Sequence, residues 1–230
     1  MSSRIGLIVP SSNRLSEPQF HRYLPAGVDV HVTRLRMTGK WRRPLAELGD
    51  SIVQAACMLA DVKPQLIVFH CTSSSMEDGL AGEARIVDLI REATGCPAIT
   101  TARAITEALQ RLAVKKLVLI SPYDDRTHQH EVAYVREAGF ELVHDIGLQE
   151  PDTDAVVSSE RWIQSVSQHR RADADGYLLS CTNTTVIEVI EECERFLGRP
   201  VVTSNQATLW ACLQRLGIAG PVTGLGRLLS

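Results

Sequence analysis

The chain has 230 residues, of which 24 are Lys or Arg and 27 are Asp or Glu, for a net charge of −3 with the signs interspersed. That balance excludes a nucleic-acid surface or a polybasic membrane patch, and a chain of this length builds one large or two small cores without disulfides. No apolar run approaches the roughly 18 residues of a spanning helix.

The partner expected is therefore a small molecule, with no nucleic acid and no membrane. Met1-Ser2-Ser3-Arg4-Ile5-Gly6 leads into a strand and not into a signal peptide, so a cytoplasmic location is expected. In that compartment the six cysteines are expected as thiols, and none has the Cys-x-x-Cys spacing of a zinc or redox site.

Residues 4–10 form a short continuous apolar run, as in a strand covered on both faces, and Ser11-Ser12-Asn13 reads as a polar loop. Alternation at Val28, Val30 and Val32 predicts a second strand over 28–35. The basic loop 36–43, with Arg36, Lys40, Arg42 and Arg43 around Trp41, either covers an anion site or is simply solvated. From Pro44, apolar residues at Leu45, Leu48, Ile52, Ala56 and Leu59 predict a helix up to Val62. A strand over 65–70, a helix over 79–93, a strand over 96–100 and a helix over 102–113 complete a first half. A strand over 116–121 starts the cycle again. Helix 127–138, strand 141–146, helix 158–171, strand 176–180, helix 185–197, strand 200–203 and helix 206–216 follow, with Gly217 as a helix stop.

The two halves share a register: Pro10 to Cys71 is 61 positions and Pro122 to Cys181 is 59. The fold expected is α/β, with two similar flavodoxin-like lobes, each a parallel sheet flanked by helices, related by a pseudo-dyad. The lobes are expected over 1–101 and 102–216, with 217–230 packing back on the fold. Ligands of such sheets bind beyond the carboxyl ends of the strands, which would set Cys71 and Cys181 face to face across one cleft.

Leu66-Ile67-Val68-Phe69-His70 ends on Cys71, and Tyr177-Leu178-Leu179-Ser180 ends on Cys181; hydroxyl residues follow both. Each thiol is expected at a helix amino terminus, where the dipole and free amides favour a thiolate. The amides and hydroxyls of Thr72 to Ser75 and Thr182 to Thr185 can hold a carboxylate with no metal and no cofactor. Thiols on both faces of a carbon acid permit two chemistries. Proton removal on one side with delivery on the other inverts a centre, whereas thiolate addition with proton transfer by the partner lets a cis double bond turn. Ligand capture without catalysis is a third reading.

The remaining thiols, Cys57, Cys193 and Cys212 at helical apolar spacing and Cys96 before Pro97, read as small buried hydrophobes. His70 adjoins Cys71, but neighbouring strand residues point to opposite faces. His128, His130 and Glu131 lack a further ligand and are expected at an exposed helix start, not around a metal.

As a set, Gly6-Leu7-Ile8-Val9-Pro10-Ser11-Ser12-Asn13, Cys71-Thr72-Ser73-Ser74-Ser75, Ser121-Pro122-Tyr123, Cys181-Thr182-Asn183 and Gly224-Leu225-Gly226-Arg227-Leu228-Leu229 carry a resemblance across nearly the whole chain. The sequence resembles the aspartate/glutamate racemase superfamily, and within it the branch of maleate cis-trans isomerases and arylmalonate decarboxylases. The resemblance implies a cofactor-independent isomerase of small dicarboxylic acids, with Cys71 as nucleophile and Cys181 as proton donor. It implies Asn13 and Tyr123 as carboxylate ligands and Ser73 and Thr182 as further donors, with Thr72 and Asn183 in the same substrate-binding turns. Arylmalonate decarboxylases work with the second cysteine alone, so Cys71 argues against decarboxylation, and a two-thiol racemase of an acidic amino acid is the alternative. A homodimer or larger assembly is implied as well. One departure stands out: where maleate isomerases carry a substrate-binding asparagine, this chain offers Thr153 or Asp154, which leaves the acid open.

Overall fold

Strands buried on both faces need apolar residues at every position, and that is where the continuous apolar runs of this chain fall. The computed structural model describes residues 2–37, 43–150 and 157–230. Within them β1 (Ser3–Pro10), β2 (Val28–Leu35), β3 (Leu66–Phe69) and β4 (Ala98–Thr100) pair in parallel in the order β2-β1-β3-β4. The second half repeats it. There β5 (Lys116–Ser121), β6 (Glu141–Gly147), β7 (Gly176–Leu179) and β8 (Val201–Thr203) pair in the order β6-β5-β7-β8. The register is equivalent as well, Ile5 lying opposite Leu66 in one sheet and Leu117 opposite Gly176 in the other. Gly176 is required by packing, because a Cβ there would stand 2.6 Å from Val114 Cγ2.

The helices are α1 (Ser16–Tyr23), α2 (Gly49–Ala60), α3 (Thr72–Met76), α4 (Gly79–Thr94), α5 (Thr101–Arg111), α6 (Asp125–Glu137), α7 (Ser159–Gln168), α8 (Ile190–Leu197) and α9 (Ser204–Arg215). Their ends repeat too. Thr100 caps α5 by accepting from the Arg103 N–H, and Thr203 caps α9 through a capping box with Gln206. Gly95 and Gly198 close α4 and α8 in the left-handed conformation, at φ +68° in each case.

Side-chain alternation divides the first sheet between two cores. Leu66 and Val68 join α5, α9 and the second sheet in a core common to both halves, whereas Ile67 and Phe69 face an outer core with Ile52, Leu59 and Ile86. The helices α5 and α9 pack against each other through Ala104, Ala108, Ala207 and Ala211, all fully buried, and so join the lobes without a gap. The final residues return over α8 and α9: Leu225, Leu228 and Leu229 are buried, and Gln206 Nε2 donates to the Leu225 carbonyl at 2.7 Å.

Several elements differ locally from those expected, among them α3, which precedes the helix expected over 79–93. The helix expected from Pro44 starts at Gly49, because 45–47 closes as a 3-10 turn. The helix expected over 185–197 is a 3-10 turn over 186–189 followed by α8. The helix expected up to 171 ends at Gln168. Finally, α1 has no counterpart among the expected elements, since Pro18 and the polar residues around it hide its period; it buries only Ser16, Gln19 and Phe20. Among the described residues no helix is long and apolar enough to cross a membrane.

Candidate active site

Cys71 leaves β3 in an extended conformation, φ −149° and ψ 117°, and α3 starts on the next residue. The Ser75 N–H donates to the Cys71 carbonyl at 3.1 Å, so the thiol stands at the mouth of one short helical turn. The sulfur is buried and lies 3.8 Å from the Ser73 hydroxyl. Thr72 is fully buried and its hydroxyl donates to Ser204 Oγ at 2.8 Å. That same Ser204 oxygen accepts the Cys181 N–H at 3.0 Å, so one hydroxyl at the start of α9 ties the two cysteine turns together.

Cys181 does not sit at a helix start, which corrects the expectation for it. Its φ is +95°, a region that side chains other than glycine rarely enter, and 182–185 runs as a turn with a bridge between Thr184 and Val157. The thiol is not activated by a dipole either. Burial pushes it up to about 12; the Tyr123 hydroxyl and the Asn183 N–H, at 3.4 Å, donate to the sulfur and oppose that shift only in part. The electrostatic fields of Glu131 and Cys71 reach Cys181, and both cysteines act on the buried Tyr123, so the two thiols and the phenol share one site.

The remaining expected residues are placed around the same turns. Asn13 is buried, and its Oδ1 accepts from the N–H groups of Leu15 and Ser16 at 3.1 and 2.9 Å, which holds the turn that leads into α1. Its Nδ2 donates to Thr182 Oγ1 at 3.1 Å, across the lobes. Asn183 accepts the Arg14 N–H at 2.9 Å on Oδ1, while its buried Nδ2 has no partner among the described residues and is left as a donor. Thr153 and Asp154 lie outside the described residues, as do residues 38–42 of the basic loop.

A network that the sequence reading missed supports the Cys181 turn from behind. The Thr182 carbonyl accepts from Ser16 Oγ at 3.1 Å and from Asn205 Nδ2 at 3.0 Å. Asn205 Nδ2 also donates to Gln19 Oε1, and Gln19 Nε2 donates to the Thr184 carbonyl at 2.9 Å. With its amide nitrogen so used, Asn205 Oδ1 accepts from His70 Nε2 at 2.9 Å, and His70 Nδ1 accepts the Thr101 hydroxyl at 2.9 Å. His70 is thus held neutral, its pKa lowered to about 4 by burial, and it turns away from Cys71. The only signal in the sequence was the density of small amides in 13–19 and 203–206, which on its own reads as capping.

Two further expectations are corrected. His128 and Glu131 are buried, not exposed: His128 binds Ser121 Oγ at 2.8 Å and Asp145 at 3.2 Å, and Glu131 Oε2 accepts the Ser180 hydroxyl at 2.7 Å. α6 presses its His128/Glu131/Val135 face onto the sheet. Cys57 is exposed, since the buried stripe of α2 runs through Ile52, Ala55, Ala56 and Leu59 and leaves it outside; Cys96, Cys193 and Cys212 are buried. Among the described residues no group of three His, Cys, Asp or Glu is placed to hold a metal ion.

The family described as "Arylmalonate decarboxylase" matches residues 5–229. A maleate isomerase of Pseudomonas putida is 30% identical, covering 99% of this chain and 97% of that protein. An arylmalonate decarboxylase of Bordetella bronchiseptica is 29% identical over 78% of this chain and 77% of its own length. Among solved structures, the maleate cis-trans isomerase of Nocardia farcinica bound to Tris superposes with a TM-score of 0.90 at 26% identity, over 99% of this chain and 97% of that one.

Proposed function

The chain belongs to the arylmalonate decarboxylase family, and on that footing we propose that it is a cofactor-independent isomerase that turns a small cis-enedioate of the maleate type into its trans isomer. The observation that carries this reading is the inequality of two thiols in one site. Cys181 is buried, keeps its proton and takes the Tyr123 hydroxyl, which suits a donor. Cys71, at the opening of α3, is left as the nucleophile.

In this mechanism Cys71, reacting as its thiolate, bonds through sulfur to one alkene carbon, and the π pair moves onto the neighbouring carbon and its carboxylate as an enediolate. Cys181 delivers its proton to that carbon. The former double bond is now single and rotates; Cys181 then takes back a proton, the pair re-forms the alkene, and the carbon–sulfur bond breaks. Nothing is consumed. The amides and hydroxyls of the two turns, with the free Asn183 Nδ2 among them, are the donors for the carboxylates and the transient enediolate. Thr72, Ser73, Thr182 and Asn13 stand beside them, and Tyr123 serves both sulfur and substrate.

We assign one cysteine to each lobe, 1–101 and 102–216, with 217–230 as the returning tail. A homodimer or larger assembly acting in the cytoplasm completes the proposal. The experiment is intact-protein mass spectrometry of Cys181→Ala incubated with maleate. A substrate-sized mass on Cys71 is expected, because addition proceeds, a proton from water quenches the enediolate, and the deprotonation that would release the product has lost its group. No adduct, together with deuterium entering the α-carbon of aspartate or glutamate in heavy water with wild type, turns the assignment to racemisation.

A further inference from the structure

Glu131 lies under the second cysteine and has no role in the mechanism above. It is fully buried on α6, its Oε2 takes the Ser180 hydroxyl at 2.7 Å, and its Oε1 has no hydrogen-bond partner among the described residues. Ser180 is the residue immediately before Cys181, so the carboxyl is tied to the backbone that presents the thiol. No cationic side chain among the described residues bonds to it. Other titratable groups on the elements around it have partners of their own: His128 of α6 bonds Asp145 of β6, and Arg103 of α5 pairs with Glu83 of α4 at 2.7 Å. The ionisable groups that feel Glu131 are Tyr123, beyond β5, and Cys181, beyond β7; Cys71, before α3, acts on both of these.

We propose that Glu131 is a positioning residue of the isomerase, whose uncharged carboxyl lets Cys181 carry the negative charge left when it gives up its proton. The proposal rests on Cys181 being the proton donor. When Cys181 delivers its proton, a thiolate appears in a low-dielectric site, and an ionised Glu131 beside it would oppose that charge. A neutral Glu131 does not, and the Ser180 hydroxyl orients it without needing a cation. Burial holds the carboxyl protonated, with its pKa raised to about 8, so the condition is met at neutral pH and lost above it. Glu131 thereby sets an alkaline limit on turnover without touching substrate.

The test is the pH dependence of kcat for cis-trans isomerisation in wild type, Glu131→Gln and Ser180→Ala, with folding checked by circular dichroism. Wild type is expected to lose turnover above a limb near 8, by up to about tenfold per pH unit, and Glu131→Gln, which cannot ionise, is expected to lack that limb. Ser180→Ala removes the donor that favours the carboxylate, so its limb is expected to move to higher pH, by about one unit at most. A role in folding alone moves neither limb. An identical limb in wild type and Glu131→Gln overturns the proposal. If Glu131→Gln does not fold, the Ser180→Ala shift and a carbon-13 titration of the Glu131 carboxyl in wild type decide; a carboxyl that ionises below pH 6 also overturns it. Wild type that turns over no cis-enedioate sinks the isomerase reading itself, whereas turnover with an unchanged limb sinks only the role of Glu131.

Discussion

The two cysteine turns occupy equivalent addresses and are built differently. Each follows the third strand in its sheet's order, β3 between β1 and β4, and β7 between β5 and β8. Yet Cys71 is extended and opens α3, whereas Cys181 has φ +95° and opens no helix. A non-glycine residue held there costs on the order of 1–3 kcal/mol, which the surrounding bonds must offset. They do so through the Cys181 N–H to Ser204 and through the Thr182 carbonyl, which takes Ser16 and Asn205 together. Duplication of the scaffold puts the two thiols at matching addresses, while the turn sets Cys181 apart: burial there pushes its thiol up to about 12, so it stays protonated.

The largest effect that can break this comparison comes from the thiols. Cys71→Ser and Cys181→Ser are each expected to lower kcat by a factor on the order of 10⁴ or more, since neither half-reaction proceeds without its group. The residual behaviour should differ. Rapid-quench mass spectrometry is expected to find covalent substrate on Cys71 in the second variant and none in the first. Identical residual behaviour would mean that the two turns, despite their shapes, do the same job. Next in size is Tyr123→Phe, which removes the O–H donor to the Cys181 sulfur and is expected to cost about 10²-fold in kcat. A rise in KM alone would assign the phenol to the substrate and not to the thiol.

The part of this asymmetry that the sequence discloses is the part written in local pattern. Continuous apolar runs, the repeat from Pro10 to Cys71 and from Pro122 to Cys181, and hydroxyls after each thiol predict two parallel sheets, and those sheets are observed. What the pattern conceals is long-range. The turn at Cys181 is held by Ser16, Gln19 and Asn205, which lie 166, 165 and 23 positions along the chain from the residues of that turn to which they bond. Helical spacing in 185–197 is real, yet the bridge between Thr184 and Val157 is followed by a 3-10 turn over 186–189 before α8 begins. Likewise α6 was legible as a helix, but not which face it buries, so Glu131 passed for a surface acid.

The supporting network makes a smaller, pH-dependent prediction. His70 is buried neutral with a pKa of about 4 against an unfolded value near 6.5, so between those limits the unfolded chain binds more protons. Its contribution is complete above pH 6.5 and lost as pH falls towards 4, roughly 3 kcal/mol in all. Glu131 acts in the opposite sense: with its pKa raised to about 8, its contribution is complete below pH 4.5 and lost as pH rises towards 8. The His70 slope is isolated by comparing urea midpoints from pH 4 to pH 7 in Glu131→Gln with and without His70→Gln, because His128 and His169, whose pKa values burial also lowers, contribute to both. Identical profiles would place His70 outside the support of the Cys181 turn.

The smallest effect concerns Asn13, where the first lobe touches the second. Its Oδ1 holds the turn that leads into α1 and its Nδ2 reaches Thr182, so Asn13→Ala is expected to lose about 1 kcal/mol of stability, the usual net worth of a hydrogen bond. Asn13→Asp keeps the acceptor and puts an anion at a helix start, where it is favourable, so its stability is expected within about 0.5 kcal/mol of wild type. The Thr182 hydroxyl can then donate to the carboxylate in place of accepting from the amide. Substrate sees the change differently, because the new charge faces a dicarboxylate. If the second Nδ2 hydrogen holds a substrate carboxylate, Asn13→Asp raises KM at least about tenfold while folding normally, a separation that chemical denaturation and steady-state kinetics resolve on the same sample. An unchanged KM would assign Asn13 wholly to the turn, and would leave the carboxylate of that side to Asn183, whose buried Nδ2 has no partner among the described residues.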